Sequence, residues 1–169
     1  MATEEQNKEV LEAVLDGIGR RGSPAGALTL LRSTNHLSPE IRRTVAAYLP
    51  SVVSKESGDR ITDSLINLSQ DDDEDVRDWA TTGLGTQLIY SDIEDRARTS
   101  VTLIDALERR TMDDSPVVRG EALTGLARRH LATAVPLIRS ELEGFSVSRK
   151  RSRLPQSPQT RLSVRHFKR

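Results

Sequence analysis

Apolar residues recur along this chain at spacings of three, four and five, the period of a helix with one buried stripe. Three segments share one register: PEIRRTVAAYLP from Pro39, EDVRDWATTGLG from Glu74 and PVVRGEALTGLA from Pro116. Ile41, Val76 and Val118 open the stripe, Val45, Ala80 and Ala122 continue it, and Leu49, Leu84 and Leu126 close it. The units lie 35 and then 42 residues apart, a length that suits a pair of helices. The first member of each pair is expected at 24–35, 60–70 and 92–112. Ser23-Pro24 reads as a cap followed by proline at the first helical position, and Ser91-Asp92-Ile93-Glu94 as a capping box. An opening helix is expected over about 4–18, starting from Thr3-Glu4-Glu5-Gln6 and ending before Gly19 and Gly22, and a closing helix over about 133–143. Strand alternation and hairpin signals are missing. The expected fold class is all-α, a right-handed α-solenoid of about three helix pairs plus flanking helices.

Composition narrows the core. Aromatic residues make up 3% and apolar residues 36% of the 169 positions, so the core has to be assembled from Leu, Ile, Val and Ala in thin helix–helix interfaces. The length suits one domain. Absence of cysteine removes disulfides, thiolate metal sites and cysteine nucleophiles, and fits a reducing compartment, with the cytoplasm expected. The N-terminus MATEEQNKEV has no secretory pattern, and no stretch approaches the roughly 18 apolar residues of a membrane span.

The net charge of zero hides two unlike parts. Residues 1–145 hold 17 Lys and Arg against all 25 acidic residues, a balance of −8. Residues 146–169 carry eight positive charges, Arg149, Lys150, Arg151, Arg153, Arg161, Arg165, Lys168 and Arg169, and no acid. This division predicts a helical repeat domain at 1–145 and a basic tail of disordered composition at 146–169. The tail has the charge to neutralise phosphates of a nucleic acid, or to lie across its own acidic body; a solvated extension without function is an equal reading. Its one aromatic residue, Phe167, does not make a stacking platform.

Two segments, DDDEDVRDWATTGLG from Asp71 and DDSPVVRGEALTGLARR from Asp113, resemble HEAT repeats, in particular the bacterial type described as phycobilisome-lyase HEAT-like. The resemblance covers about residues 23–143. HLSPEIRR in the first repeat lacks the acidic turn. The likeness implies that the second helix of each pair lines a concave surface. That places Thr44, Ala47 and Ser51, then Trp79, Thr82 and Thr86, then Glu121, Thr124 and Arg128 on one strip, with a single large aromatic among small and polar side chains, as in a binding anchor. By angular count Trp79 falls roughly 120° from the centre of its buried stripe. The competing reading packs Trp79 against the helix at 92–112.

Other conspicuous residues read as structural. Asp71, Asp72, Asp73, Glu74 and Asp75 lack the glycine and terminal glutamate of a calcium loop and run straight into a helix, so one of them is expected to cap it and the rest to favour its positive end. Arg42, Arg77 and Arg119 recur at one repeat position, and an Asp–Arg ladder with Asp72 and Asp114 as its acidic members is expected. Gly83 and Gly125 hold equivalent positions late in their helices, where close packing explains them. His36, His130 and His166 share no helical face, so no metal is expected. Phosphate, dinucleotide and nucleophile-elbow motifs are missing, and GIGRRGS at Gly17 follows a helix, not a strand. No cofactor and no catalytic residue is expected. The leading reading is a non-catalytic scaffold that binds another protein on its concave face, with nucleic-acid binding and a bilin-lyase-like subunit as alternatives and no membrane partner.

Overall fold

The computed structural model describes residues 2–88, 101–129 and 131–152, and over these the chain is helical without a strand. Helix α1 spans Ala2–Arg21. It runs through Gly17 and Gly19, past the expected end at residue 18, and stops at Gly22, whose φ of 62° is open to glycine without a Cβ clash. Gly19 is retained within the helix because any side chain there would overlap the Tyr48 ring of a neighbouring helix. A 3-10 turn, Pro24–Gly26, leads into α2, Ala27–Arg32. Helix α3, Pro39–Tyr48, continues as a 3-10 turn, Leu49–Val52. Helix α4 spans Gly58–Leu68, and α5, Glu74–Thr82, widens into a π turn at Gly83–Gln87. Helices α6, Val101–Arg110, α7, Pro116–Arg129, and α8, Leu131–Ser152, bring the α-helices among the described residues to eight.

The helices form two ranks. In one, α1, α3, α5, α7 and α8 each pack on the next; in the other, α2, α4 and α6 lie in sequence and contribute to the same core. The buried side chains are almost all aliphatic: Leu15, Leu30, Ile41, Val45, Leu49, Ile61, Leu65, Val76, Leu84, Leu103, Leu107 and Leu126 are fully covered. The stripe residues of all three repeated segments are among the buried ones, as the periodicity requires.

Side-chain pairs between the ranked helices fix their direction. Lys8 meets Glu40, Glu12 meets Thr44, Asp16 meets Tyr48, and the Gly19 carbonyl accepts from Ser51. The offset stays at 32 residues throughout, so α1 runs parallel to α3. Helix α1 therefore stands where the second helix of a preceding repeat would stand, although its sequence has no counterpart of the Val-Arg step. Offsets of 32 and 33 residues relate α3 and its 3-10 continuation to α5, through Arg43–Asp75 and the approach of Pro50 to Gly83, and offsets of 41 and 40 relate α5 to α7, through Glu74–Ser115 and Gly85–Gly125, so these helices run parallel as well. Helix α8 turns back after one residue, and the pairing of Arg119, early in α7, with Glu141, midway along α8, sets it antiparallel.

The closing helix reaches Ser152 rather than 143, so the first seven residues of the stretch assigned to the tail are helical. Residues 153–169, the capping box at Ser91–Glu94, His130 and His166 lie outside the described residues.

Candidate functional site

Every repeat opens with the same turn, and arginine organises it. Arg42 Nη1 donates to the carbonyls of His36 and Leu37, Arg77 Nη1 to those of Asp71 and Asp72, and Arg119 Nη1 to those of Asp113 and Asp114, all at 2.8–3.1 Å. The remaining donors of each guanidinium reach the next repeat. Arg42 binds both carboxylate oxygens of Asp71 at 2.7 and 2.8 Å, Arg77 binds both of Asp113 at 3.0 and 3.2 Å, and Arg119 ends the series on Glu141. The ladder is present with its acidic members one residue earlier than expected: Asp71 and Asp113 carry it, and Asp72 and Asp114 contribute only backbone carbonyls. The turn decides this. Asp71 Oδ1 accepts the Asp73 N–H and Asp113 Oδ1 accepts the Ser115 N–H at 3.0 Å, which folds these two carboxylates inward while their neighbours point to solvent.

His36 occupies the corresponding position of the first turn. Its Nδ1 accepts the Ser38 N–H at 3.1 Å, so an imidazole closes the turn where no arginine of an earlier repeat calls for a carboxylate. Burial pushes the Asp71 and Asp113 carboxyls up, but the arginine hydrogen bonds, the turn N–H groups and nearby positive charge outweigh it and hold both below the usual carboxylate range. Of the acidic run, Asp73 caps α5 by accepting the Val76 N–H, Glu74 accepts from Ser115 at 2.7 Å and Asp75 lies 3.6 Å from Arg43. These are structural uses, as expected for that run. The groove at this edge, about 570 Å³ between the 34–37 turn and α4, is walled by Thr34, His36, Asn67 and the Arg42–Asp71 pair, whose charged groups are already engaged.

The opposite side of the helices is less committed. On α5, residues 75, 78, 79, 82 and 86 fall within one arc of about 100°; the equivalent positions are 40, 43, 44, 47 and 51 on α3 and 117, 120, 121, 124 and 128 on α7. Trp79 keeps 41% of its surface exposed, so it is not filling the core. Thr124 and Arg128 are exposed, and Ala47, Thr82, Thr86 and Glu121 are half-buried. Thr44 is a correction: only 9% of it is exposed, because α1 packs alongside α3 and sets Glu12 over the Thr44 hydroxyl. Ser51 is exposed but bonded to the Gly19 carbonyl. The open part of the strip is therefore its α5–α7 portion.

Three residues of this face escaped the sequence reading. Glu12 and Arg43 form part of a charge network across α1, α3 and α5. Asp78 adjoins Trp79, and its Oδ1 is buried without a hydrogen-bond partner among the described residues. Burial pushes the Asp78 carboxyl above its ordinary range, and the negative charges of Glu121, Asp75 and Glu74 add to this. The same angular count that selected Trp79 places Asp75 and Asp78 on its arc, so that signal was present; nothing in the repeat pattern announced α1.

The glycines meet as close packing requires, with a different partner. A methyl group on Gly125 would sit 2.5 Å from Gly85 Cα, and one on Gly83 would press on Pro50 and Leu65. Gly85, in the π turn, is thus the residue that lets α5 touch α7 backbone to backbone. Arg129 donates to the Leu84 carbonyl at 2.6 Å, serving an acceptor in the segment where the π turn departs from regular α-helical pairing.

Comparison with known protein families and with curated proteins gave no match for this chain. Among the described residues, no helix is long and apolar enough to cross a membrane.

Proposed function

We propose that this chain is a non-catalytic protein-interaction module, a right-handed HEAT-like solenoid whose second-helix rank presents a partner-binding face centred on Trp79. The parallel run of α1, α3, α5 and α7 and the turn-to-turn arginine ladder support the solenoid reading. The observation that carries the functional reading is the Trp79 indole, 41% exposed and flanked by the small side chains of Thr82 and Thr86. An exposed indole on a rigid helix supplies much contact area at little entropic cost, which is the usual composition of a binding hot spot.

Charge narrows the partner. Glu12, Asp16, Glu40, Asp75, Asp78 and Glu121 face Lys8, Arg20, Arg43 and Arg128 across this surface, an excess of acid that repels phosphate and favours a protein segment bearing lysine or arginine. Nucleic acid on this face is thereby disfavoured. A tetrapyrrole calls for a large apolar cleft, whereas hydroxyls and carboxylates dominate here, which leaves the lyase-like reading without support.

Placing a benzophenone side chain at Thr124, and for comparison at Thr29 on α2, tests the proposal by photo-cross-linking in cell extract. We expect one protein to be captured from residue 124, to be absent from residue 29 and to be lost with Trp79→Ala. Equal capture from both positions would refute a dedicated face.

A further inference from the structure

The acidic groups of the face are neutralised within the fold at one end and left alone at the other. Lys8 lies 3.6 Å from Glu40, Arg20 holds Asp16 at 2.7 Å, and Arg43 is 4.0 Å from Glu12 and 3.6 Å from Asp75. Asp78 and Glu121 have no such cation among the described residues, and Asp78 retains an acceptor without a donor. Two unneutralised carboxylates thus stand beside the exposed indole, on neighbouring helices. A guanidinium or ammonium group set there would offset the negative charges of Asp78 and Glu121 and cover the ring face.

The chain contains a segment with this chemistry. Residues 153–169 carry Arg153, Arg161, Arg165, Lys168 and Arg169 and no acid. The fold delivers the segment to the correct edge: α3, α5 and α7 run parallel, α8 runs back against α7, and its C-terminal end therefore lies toward the helix starts where Asp78 and Glu121 sit. Glu141 is level with Arg119, so Ser152, 11 residues on, lies about 16 Å beyond that level at 1.5 Å per residue. With neighbouring helix axes about 10 Å apart, the route back to Glu121 and Trp79 is roughly 20–30 Å. Arg161 and Arg165 follow Ser152 by nine and 13 residues, an extended reach of about 30 and 43 Å.

We propose that residues 153–169 dock on the α5–α7 face, setting Arg161 or Arg165 against Asp78 and Glu121 over the Trp79 indole, so that the chain's own basic segment competes with a partner for this surface. The inference rests on the binding-face reading given above and identifies the cationic chemistry the face accepts. A short tether supplies an effective concentration on the order of millimolar, so even a contact of millimolar strength is about half occupied. Salt weakens it, because the Debye length falls from about 10 Å at 0.1 M to about 3 Å at 1 M.

Trp79 is the single tryptophan, so its fluorescence reports on this site alone. Acrylamide quenching would be compared at low salt in the full chain, in the full chain with Arg153, Arg161, Arg165, Lys168 and Arg169 all changed to Gln, and in Glu121→Gln, with circular dichroism confirming that each is folded. With a tethered segment occupying the site about half of the time or more, both variants are expected to quench up to about twofold more strongly than the wild type. Adding salt should bring the wild type to their level. A synthetic peptide of residues 153–169 should restore protection to the tail-neutralised chain and fail to do so once Glu121→Gln is added. Equal quenching in all three proteins would overturn the inference. If quenching is equal while cross-linking at residue 124 still captures a Trp79-dependent partner, the tail contact alone falls; if both fail, so does the binding face.

Discussion

Asp113→Ala removes the most buried rung of the arginine ladder, and its cost follows from what it leaves behind. Asp113 is 4% exposed in its side chain and accepts from Arg77 Nε at 3.0 Å, Arg77 Nη2 at 3.2 Å, Arg110 Nη1 at 3.1 Å and the Ser115 N–H at 3.0 Å. Two guanidinium groups, 16% and 20% exposed as side chains, would lose their carboxylate together. Breaking a buried pair by deleting one partner typically costs about 3–5 kcal/mol. Arg77 keeps its bonds to the Asp71 and Asp72 carbonyls and Arg110 its bond to the Ser69 carbonyl, so the expected loss is about 2–4 kcal/mol, a large share of the roughly 5–15 kcal/mol that holds an ordinary domain. The terminal rung is the internal control. Arg119 and Glu141 are 24% and 45% exposed, and Glu141→Ala should cost less than about 1 kcal/mol. Urea unfolding followed by circular dichroism reads both, through midpoints at unchanged slope. Equal losses for the two variants, or a loss under about 1 kcal/mol for Asp113→Ala, would refute the claim that burial gives the inner rung its weight. The pH dependence has a definite sign. Because the folded Asp113 and Asp71 carboxyls are held low, their stabilisation is complete above the unfolded value of about 3.9 and is lost as pH falls through the lower folded value. The gap between wild type and Asp113→Ala should therefore close in acid.

Three further outcomes are expected. Gly125→Ala drives a methyl group into the Gly85 backbone and should lower stability by about 1–3 kcal/mol, while Gly120→Ala, with nothing within 4 Å of the new methyl, should raise it by up to about 1 kcal/mol; thermal melts of the pair check the contrast. Asp78→Asn should raise the melting temperature at neutral pH, because the folded carboxyl is pushed up by burial and by Glu121, Asp75 and Glu74, and this advantage should fade as pH falls through the folded value and the native Asp protonates. Trp79→Ala should cost less than the about 3–5 kcal/mol of a fully buried aromatic, since 41% of the residue is in water; a urea midpoint shift equivalent to a loss above about 5 kcal/mol would place the ring in the core instead.

The helical period alone located α3, α5 and α7, their buried stripes and the recurrent arginines, because a stripe on a helix is a local property and neighbouring residues determine it, while it left Trp79 open between an exposed and a packed position. The acidic cap of α5 was legible for the same reason. What the sequence left open all depends on residues brought together from a distance. Whether Asp71 or Asp72 faces Arg42 is settled by a turn hydrogen bond to the Asp73 N–H, a matter of backbone dihedrals. The persistence of α1 through Gly17 and Gly19 runs against local propensity and is held by packing on Tyr48. Gly125 finds Gly85, not its repeat equivalent Gly83, because a π turn shifts the register at the crossing. Thr44 passes from open strip to covered position only because α1, which shares none of the repeat's marker residues, takes the place of a further repeat helix beside α3. The sequence by itself determined the helices and which side of each is apolar; only the tertiary structure decided which polar side chains find partners across helices and which, such as Asp78 and Glu121, are left without a counter-charge, since charge pairing acts over a few ångströms between residues some 30 to 40 positions apart.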